Sequence, residues 1–308
     1  MRLIKNIYVS GLGAVGSAYA SYLYKMDPAC IKIIASDERI KRYSDKGVKI
    51  NDESYFFDFL RPHDDAPPAD LIVIAVKQHN LSQSINDIKK FIGSDTIIIS
   101  LLNGISSEEI IGKEFGMDKL LYSFCVGIDA VRQDTCVTFS KIGKIVYGEK
   151  NNLNYSSKVN AVKDLFDRAG IPYSIPQDMM RELWWKFMVN VGINQPSAIL
   201  RAPYGVFQTV KEAQELMNMT FLEVITLAQK LEINLIEADI DEFFKILNTL
   251  SPDGKTSMLQ DIEAGRKTEV EIFAGTVIEL GRKYNVSTPI NEMLYNMIRV
   301  LENIQGNK

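Results

Sequence analysis

The sequence has none of the long apolar runs or basic blocks that mark membrane and nucleic-acid-binding proteins. Its longest apolar runs, such as residues 71–76, are far shorter than the roughly 18 to 20 residues of a membrane span. The net charge is -4, and no long basic block supplies the electrostatic footprint of phosphate-backbone binding. We therefore expect no membrane and no nucleic acid among its partners.

Histidine and cysteine are also scarce. The two histidines, His63 and His79, are too few for a histidine-centred triad or a metal cluster, so we expect metal-free chemistry. The three cysteines, Cys30, Cys125 and Cys136, include no close pair, which favours reduced thiols in a cytoplasm over disulfides or a zinc site. A cytoplasmic protein is expected, and the short apolar stretch near the amino terminus is interpreted as a strand rather than a signal peptide.

The hydrophobic pattern divides the 308 residues into two regions. Up to about residue 176, β-rich runs (IYVSG, IKIIAS, LIVIAVK and TIIISLL) alternate with amphipathic stretches, which is typical of βαβ units around a parallel sheet. Beyond it the periodicity is helical. The predicted fold class is α/β, with a doubly wound sheet at residues 1–177 and an all-α domain at residues 178–308.

The helical region contains several predicted elements. Helices are expected at residues 239–250, 257–265, 267–284 and 289–303. The sequence TVKE, which begins at Thr209, resembles a capping box at the start of an earlier helix.

The sequence GLGAVG at residues 11–16 follows the first predicted strand and precedes a helical run, as a dinucleotide-binding fingerprint does. Gly11 permits the tight turn, Gly13 lets a pyrophosphate approach the backbone, and Gly16 lets the helix pack closely on the strand. No lysine follows Gly16, which excludes a nucleoside-triphosphate loop. The first domain is therefore predicted to be Rossmann-like, with these cofactor-binding residues in the loop: Gly11, Leu12, Gly13, Ala14, Val15 and Gly16.

Charged residues of both signs follow the second predicted strand, where such a domain distinguishes NAD from NADP. Asp37 could accept hydrogen bonds from the ribose hydroxyls of NAD, whereas Arg39, Lys41 and Arg42 could neutralise the 2′-phosphate of NADP. A solvated helix start explains the same mixture without a ligand. We predict NADP, and NAD is not excluded.

Two polar residues stand where later strands are predicted to end. Lys77 follows LIVIAV, and Asn103 follows TIIISLL. Strand carboxyl ends line the ligand crevice of an open α/β sheet, which makes both residues candidates for ligand contacts. A solvated strand end and an ordinary Asn-Gly turn are the structural alternatives.

A polar stripe interrupts the apolar segment RELWWKFMVNVGINQPSAI at residues 181–199. Lys186, Asn190 and Asn194 are spaced i, i+4, i+8, so on a regular helix each lies about 40° round from the last. Buried polar groups are costly unless they are satisfied, so the stripe should face partner residues or a ligand. With a nicotinamide present, Lys186 could donate a proton to a reduced ketone. A stripe that satisfies itself, or a lysine that reaches solvent, is the alternative.

These motifs together resemble the ketopantoate reductase (2-dehydropantoate 2-reductase) family over nearly the whole chain. The most specific parts are RELWWKFMVNVGIN and TSMLQDIEAGRKTEVE, which follow the family pattern in order. The resemblance implies the reduction of ketopantoate to pantoate by NADPH, a step towards pantothenate and coenzyme A.

The resemblance also implies roles for individual residues in the second domain. Lys186 looks like the catalytic lysine, and Glu269 resembles the acid near it, also placed among the cofactor-binding residues. Asn190 and Asn194 fall on substrate-contacting asparagines, and Ser257 falls on a serine that helps to hold the substrate carboxylate.

In the first domain, Lys77 and Asn103 match positions near the nicotinamide, and Asn103 is also expected to contact substrate. Two positions depart from the family. Ser36 occupies the place of an arginine, so Arg39 or a neighbour would have to bind a 2′-phosphate. Ser36 and Arg39 are both predicted to bind the cofactor. Gln195 changes the usual INP to INQP beside the substrate residues.

Three functional alternatives remain open from the sequence. The leading one is ketopantoate reduction, the second is reduction of another small 2-oxo acid, and the third is a non-catalytic dinucleotide sensor. A homodimer through the helical half is compatible with its apolar faces, although packing within one chain explains them equally.

Overall fold

The computed structural model describes residues 3–306. The chain forms two compact units, one of Met1–Asn103 with Ser107–Met179 and the other of Gly104–Ser106 with Met180–Lys308. The division thus falls two residues after the boundary expected at 177/178. It also assigns Gly104–Ser106 to the helical unit, because Ile105 packs against the apolar core of that unit.

Short strands make up the sheets of the first unit. In chain order they are β1 (Ile7–Ser10), β2 (Ile31–Ile34), β3 (Val48–Ile50), β4 (Glu53–Tyr55), β5 (Asp58–Leu60), β6 (Leu71–Ile74), β7 (Ile97–Ser100), β8 (Leu120–Val126), β9 (Val131–Gln133), β10 (Cys136–Thr138), β11 (Lys144–Gly148) and β12 (Tyr173–Ser174). The larger sheet has the order β12-β11-β8-β7-β6-β1-β2-β5, and a smaller one has the order β4-β3-β10-β9.

The larger sheet is doubly wound, as predicted. Six neighbouring strands of this sheet are parallel; across the sheet their order is β5-β2-β1-β6-β7-β8. When these six are numbered by their position along the chain, the order is 3-2-1-4-5-6. β1, β6 and β7 are buried at every residue, which explains their continuous apolar sequences. The order in which strands are added to the sheet reverses at β1 and β6, and ligands of such sheets bind outside the carboxyl ends of the strands at this position. The smaller sheet was not predicted, because its three-residue strands come from distant parts of the chain.

Helices complete both units. Those of the first are α1 (Ala14–Met26), α2 (Asp37–Lys46), α3 (Leu81–Ile88), α4 (Ser107–Phe115) and α5 (Ser157–Ala169). Those of the second are α6 (Met179–Val189), α7 (Gln195–Leu200), α8 (Tyr204–Thr209), α9 (Lys211–Lys230), α10 (Ala238–Leu247), α11 (Ser257–Glu263), α12 (Thr276–Tyr284) and α13 (Pro289–Gly306), with π-helical segments at Asn190–Asn194 and Glu271–Gly275. Among residues 3–306, none of these helices is both long and apolar enough to cross a membrane.

Two helix predictions were wrong in detail. Thr209 ends α8, where its hydroxyl donates to the carbonyl of Gly205 (2.8 Å), so it does not cap α9. The helix expected from residue 267 begins only at Glu271. The amide and hydroxyl of Thr268 both donate to the carboxylate of Glu302 (2.8 and 2.7 Å), which holds this part of the chain out of helical geometry.

Candidate functional site

The glycine-rich loop lies between the end of β1 and the first turn of α1. Gly11 has a φ of +108°, which disfavours other residues, and a Cβ there would lie 2.6 Å from the carbonyl oxygen of Ala75. A Cβ on Gly16 would lie 2.0 Å from the carbonyl oxygen of Gly11. The protein's own backbone therefore requires glycine at both positions.

Among residues 3–306, the packing around Gly13 does not itself require a glycine. A Cβ there would meet only the carbonyl of Ala75 in this part of the chain, at an ordinary 3.7 Å. The helix that follows has no side-chain cap and no acidic residue in its first turn, and Ser17 N donates to Gly13 O (3.0 Å). The amides of Ala14 and Val15 precede this bond, as anion-binding amides at helix starts do. The open space and the amides fit the pyrophosphate of a dinucleotide.

Arg132 also binds the glycine-rich loop, and the sequence analysis did not identify it. Its guanidinium donates to the carbonyl of Leu12, and its Nε donates to the carbonyl of Asp134 (2.7 Å). It also lies 5.9 Å from the centre of the Tyr43 ring. Because Arg132 is on β9, 120 residues from Leu12, no local pattern could reveal this contact.

The end of β2 carries the residues expected to distinguish NAD from NADP. Ser36 is the N-cap of α2, where its hydroxyl accepts from the amide of Arg39 (3.5 Å). The side chain of Arg39 is exposed. Asp37 pairs with Arg61, a residue that sequence reasoning missed. Arg42 pairs with Asp134 on the loop between β9 and β10.

Lys77 and Asn103 lie at the same edge of the sheet as the glycine-rich loop. Lys77 comes three residues after β6 and is the N-cap of the short 3-10 helix Gln78–Asn80, and Asn103 comes three residues after β7. Since β1, β6 and β7 are parallel neighbours, their carboxyl ends share one edge. Both side chains are half-buried. The first unit therefore brings together the loop and these two polar residues.

In the second unit, Lys186 and the two asparagines do not lie on one regular helix. Lys186 is half-buried on α6, but Asn190–Asn194 form a π-helical segment, which corrects the continuous helix that the spacing predicted. Helix α9 packs closely against this π-helical segment, since a Cβ on Gly192 would lie 2.0 Å from the ring of Phe221 on α9. Single π-helical turns within α-helices are frequently found at functional sites.

The amino terminus of α11 holds Asn194 in place. Asn194 is 5% exposed, and its Oδ1 accepts from Ser257 Oγ (3.3 Å) and from the amide of Met258 (3.5 Å). Its Nδ2 donates to Asn190 Oδ1 (3.2 Å). Thr256 caps the same helix by accepting from Leu259 N (3.2 Å). The two asparagines of the polar stripe are thus hydrogen-bonded to each other. Ser257 is exposed and Asn190 is half-buried.

Glu269 and Gln195 lie in different surroundings. Glu269 is half-buried in a bend, and its carbonyl accepts from the amides of Ile272 and Phe273 at the start of a π-helical segment. Gln195 is fully buried and donates to Val191 O (2.9 Å) and Asn291 Oδ1 (3.2 Å). The inserted glutamine therefore faces the helical core. Within residues 3–306, no cluster of His, Cys, Asp or Glu is arranged to hold a metal ion.

The doubly wound sheet and its glycine-rich loop define a dinucleotide-binding protein. Residues 7–152 match the family model of ketopantoate reductase PanE/ApbA, and residues 178–302 match that of its C-terminal domain. The chain therefore belongs to the ketopantoate reductase family and is an NAD(P)-dependent oxidoreductase of the 2-dehydropantoate 2-reductase type.

Relatives of this chain carry more than one substrate name. The 2-dehydropantoate 2-reductases of Aquifex aeolicus and Pyrococcus horikoshii are 25% and 26% identical to it, over 97% and 98% of this chain and 98% and 99% of theirs. Among solved structures, D-mandelate dehydrogenase with NADH and anilino(oxo)acetate has a TM-score of 0.87 at 22% identity, covering 98% of this chain and 99% of that one. A dimeric ketopantoate reductase from Staphylococcus aureus has a TM-score of 0.81 at 22% identity, with 97% and 99% covered. The structures show the shared fold.

Proposed function

We propose that this protein reduces ketopantoate to pantoate with NADPH, as a cytoplasmic step of pantothenate and coenzyme A biosynthesis. One observation carries the proposal: α6, the π-helical segment after it and α11 present Lys186, Asn190, Asn194 and Ser257 in the family's order, with Asn194 hydrogen-bonded to both Asn190 and Ser257. The curated relatives named 2-dehydropantoate 2-reductase support the choice of substrate.

In this proposal the glycine-rich loop, Lys77 and Asn103 hold the cofactor, as do Ser36 and Arg39 at the adenosine end. When bound there, NADPH would supply the hydride that reduces the carbonyl group of the substrate. The Asn103 amide also contacts the substrate, and Glu269 belongs to both the cofactor site and the catalytic group.

Lys186 supplies the proton in the same reaction. Hydride addition leaves negative charge on the former carbonyl oxygen, which the Nζ ammonium of Lys186 stabilises and protonates to give the alcohol. The carboxylate of Glu269 favours the charged ammonium. The Ser257 hydroxyl and the Asn190 amide hold the substrate carboxylate and hydroxyl. Asn194 accepts from the amide of Met258 at the start of α11 and positions the side chains of Asn190 and Ser257.

Replacement of the lysine tests this assignment. In initial-rate assays with ketopantoate and NADPH, Lys186→Ala should lower kcat by about 10²- to 10⁴-fold, because the proton donor is lost. NADPH binding, measured by fluorescence titration, should stay within about twofold of the wild type. Lys211→Ala, which removes an exposed lysine of α9, is the matched control and should leave both quantities unchanged. Unchanged turnover in Lys186→Ala would contradict the mechanism.

A second candidate function is the reduction of a different small 2-oxo acid. It is supported by the similarity in fold to D-mandelate dehydrogenase, whose structure holds NADH and an oxo acid. A panel of aliphatic and aromatic 2-oxo acids separates the candidates. A clear preference for ketopantoate in kcat/KM supports the first, and a preference for an aromatic acid supports the second. Cofactor binding without turnover of any acid would instead indicate a sensor.

We also propose that the protein forms a homodimer through α13. Met293, Met297, Val300 and Ile304 are 43–56% exposed and follow the spacing i, i+4, i+7, i+11, which forms one apolar face. A dimeric relative of the same fold supports this. Light scattering after gel filtration should give a dimer for the wild type and a monomer for Val300→Glu. A Glu292→Lys control on the same helix should remain dimeric, and a monomeric wild type would refute the proposal.

A further inference from the structure

The adenosine end of the cofactor site lacks a basic side chain at the position where the family pattern has one. The residue there is Ser36, whose hydroxyl is used as the N-cap of α2 and accepts from the amide of Arg39. A serine hydroxyl carries no charge, and NADPH differs from NADH by a 2′-phosphate that usually binds an arginine. If this protein uses NADPH, another side chain must supply that charge.

Arg61 lies beside this position because of the pairing of β2 with β5. The two strands are parallel, with Ile34 opposite Leu60, and the amide of Ala35 donates to the carbonyl of Leu60 (3.0 Å). Arg61 therefore leaves the sheet at the same edge as Ser36, although it is 25 residues later in the chain. Parallel pairing thus brings a guanidinium from a distant part of the chain to the edge where Ser36 lies.

The charges around Arg61 show that its guanidinium already holds an anion at this edge. Its Nε donates to Asp37 Oδ1 (2.5 Å), in the first turn of α2. The amide of Arg61 donates to Asp64 Oδ2 (2.9 Å), and a guanidinium nitrogen lies 3.7 Å from the same oxygen, which holds the residue from the other side. The side chains of Arg61 and Asp37 are 45% and 71% exposed, so an incoming ligand can reach them.

Two other basic residues of α2 pair with a different part of the first unit. Arg42 pairs with Asp134, and Lys46 donates to the same carboxylate (2.7 Å). Both are therefore held at a loop of the smaller sheet, whereas Arg61 pairs at the edge where Ser36 lies. Arg39, exposed in the first turn of α2, is a second basic side chain at the adenosine end.

We propose that Arg61 binds the 2′-phosphate of NADPH and that Asp37 is the anion it releases when the cofactor binds. The exchange is favourable because an exposed arginine-carboxylate pair contributes little, whereas a phosphate dianion can accept two parallel hydrogen bonds from the fork of an arginine. The proposal rests on the proposed use of NADPH and names the residue that gives that preference.

Equilibrium binding of NADPH and NADH to the full-length protein, measured by fluorescence without substrate, tests this. Arg61→Gln should raise the Kd for NADPH by about 10- to 100-fold, because charge-assisted bonds are lost, and change that for NADH by less than about twofold. Asp37→Asn should lower the Kd for NADPH by about 2- to 5-fold, because the competing carboxylate is removed. Arg168→Gln, which removes an arginine paired with Asp164 on α5 of the same unit, should change neither.

Three outcomes overturn the proposal. An unchanged Kd for NADPH in Arg61→Gln removes Arg61 from the site, and an equal loss for both cofactors shows a structural role only. A wild-type protein that binds NADH more tightly than NADPH overturns the proposed cofactor as well. Because substrate is absent, the result does not depend on which 2-oxo acid the protein reduces.

Discussion

Glu108 is a carboxyl group that burial should leave partly protonated at neutral pH. It is the second residue of α4, and its carboxylate oxygens accept from Ser107 Oγ (2.8 Å) and from the amide of Ser123 (3.2 Å). These bonds favour the charged form. Complete burial outweighs them and raises the pKa of Glu108 from 4.5 to about 7.

The direction of the effect on stability follows from this shift. The folded state binds the proton more tightly than the unfolded state, so Glu108 contributes most to stability below about pH 4.5. The contribution is lost as pH rises towards about 7. Raising the pKa from 4.5 to about 7 corresponds to about 3 kcal/mol in the free energy of unfolding. Glu108→Gln cannot titrate, so this pH dependence should be absent from it.

Urea unfolding followed by circular dichroism, from pH 4.5 to pH 8, measures the difference. The wild type should lose about 3 kcal/mol relative to Glu108→Gln over this range, since other titrating groups are common to both proteins. Glu109→Gln, at the exposed neighbouring glutamate, controls for the loss of one negative charge and should keep the wild-type profile. Parallel profiles for the wild type and Glu108→Gln would refute the argument from burial.

Three further predictions concern the two candidate sites. Gly11→Ala should lower the free energy of unfolding by about 1–2 kcal/mol or more, because φ is +108° and the added Cβ meets backbone. Gly13→Ala should leave stability within about 0.5 kcal/mol but weaken dinucleotide binding at least about tenfold, since its Cβ would occupy the space left for the pyrophosphate. Thr256→Ala should cost about 1 kcal/mol by removing the N-cap of α11 and should raise KM for the substrate through the displaced Ser257.

Urea unfolding, fluorescence titration of the dinucleotide and initial-rate assays with substrate distinguish these outcomes. Equal losses of stability in Gly11→Ala and Gly13→Ala would show that both glycines serve the fold alone. For Thr256→Ala, an unchanged KM would show that the α11 cap does not affect the substrate residues.

Several features of this protein could be predicted because they depend on neighbours in sequence. The strands β1, β6 and β7 are continuous apolar runs, and burial on both faces of the sheet selects such runs. The glycine-rich loop was recognisable because its backbone requirements recur at fixed spacing between a strand and a helix. The doubly wound order then followed from the alternation of strands and helices.

The tertiary structure decided the features that join distant parts of the chain. Arg61 meets Asp37 through parallel pairing of β5 with β2, Arg132 reaches the glycine-rich loop from the smaller sheet, and α11 supplies the partners of Asn194. The π-helical segment that carries Asn194 occurs where α9 packs against it, and helical periodicity alone predicted a regular helix. The sequence by itself determined the local elements and the residue types of the site. Packing between elements far apart in the chain decided the contacts of those residues. Such contacts form only when folding brings the distant elements together, so no local pattern in the sequence encodes them.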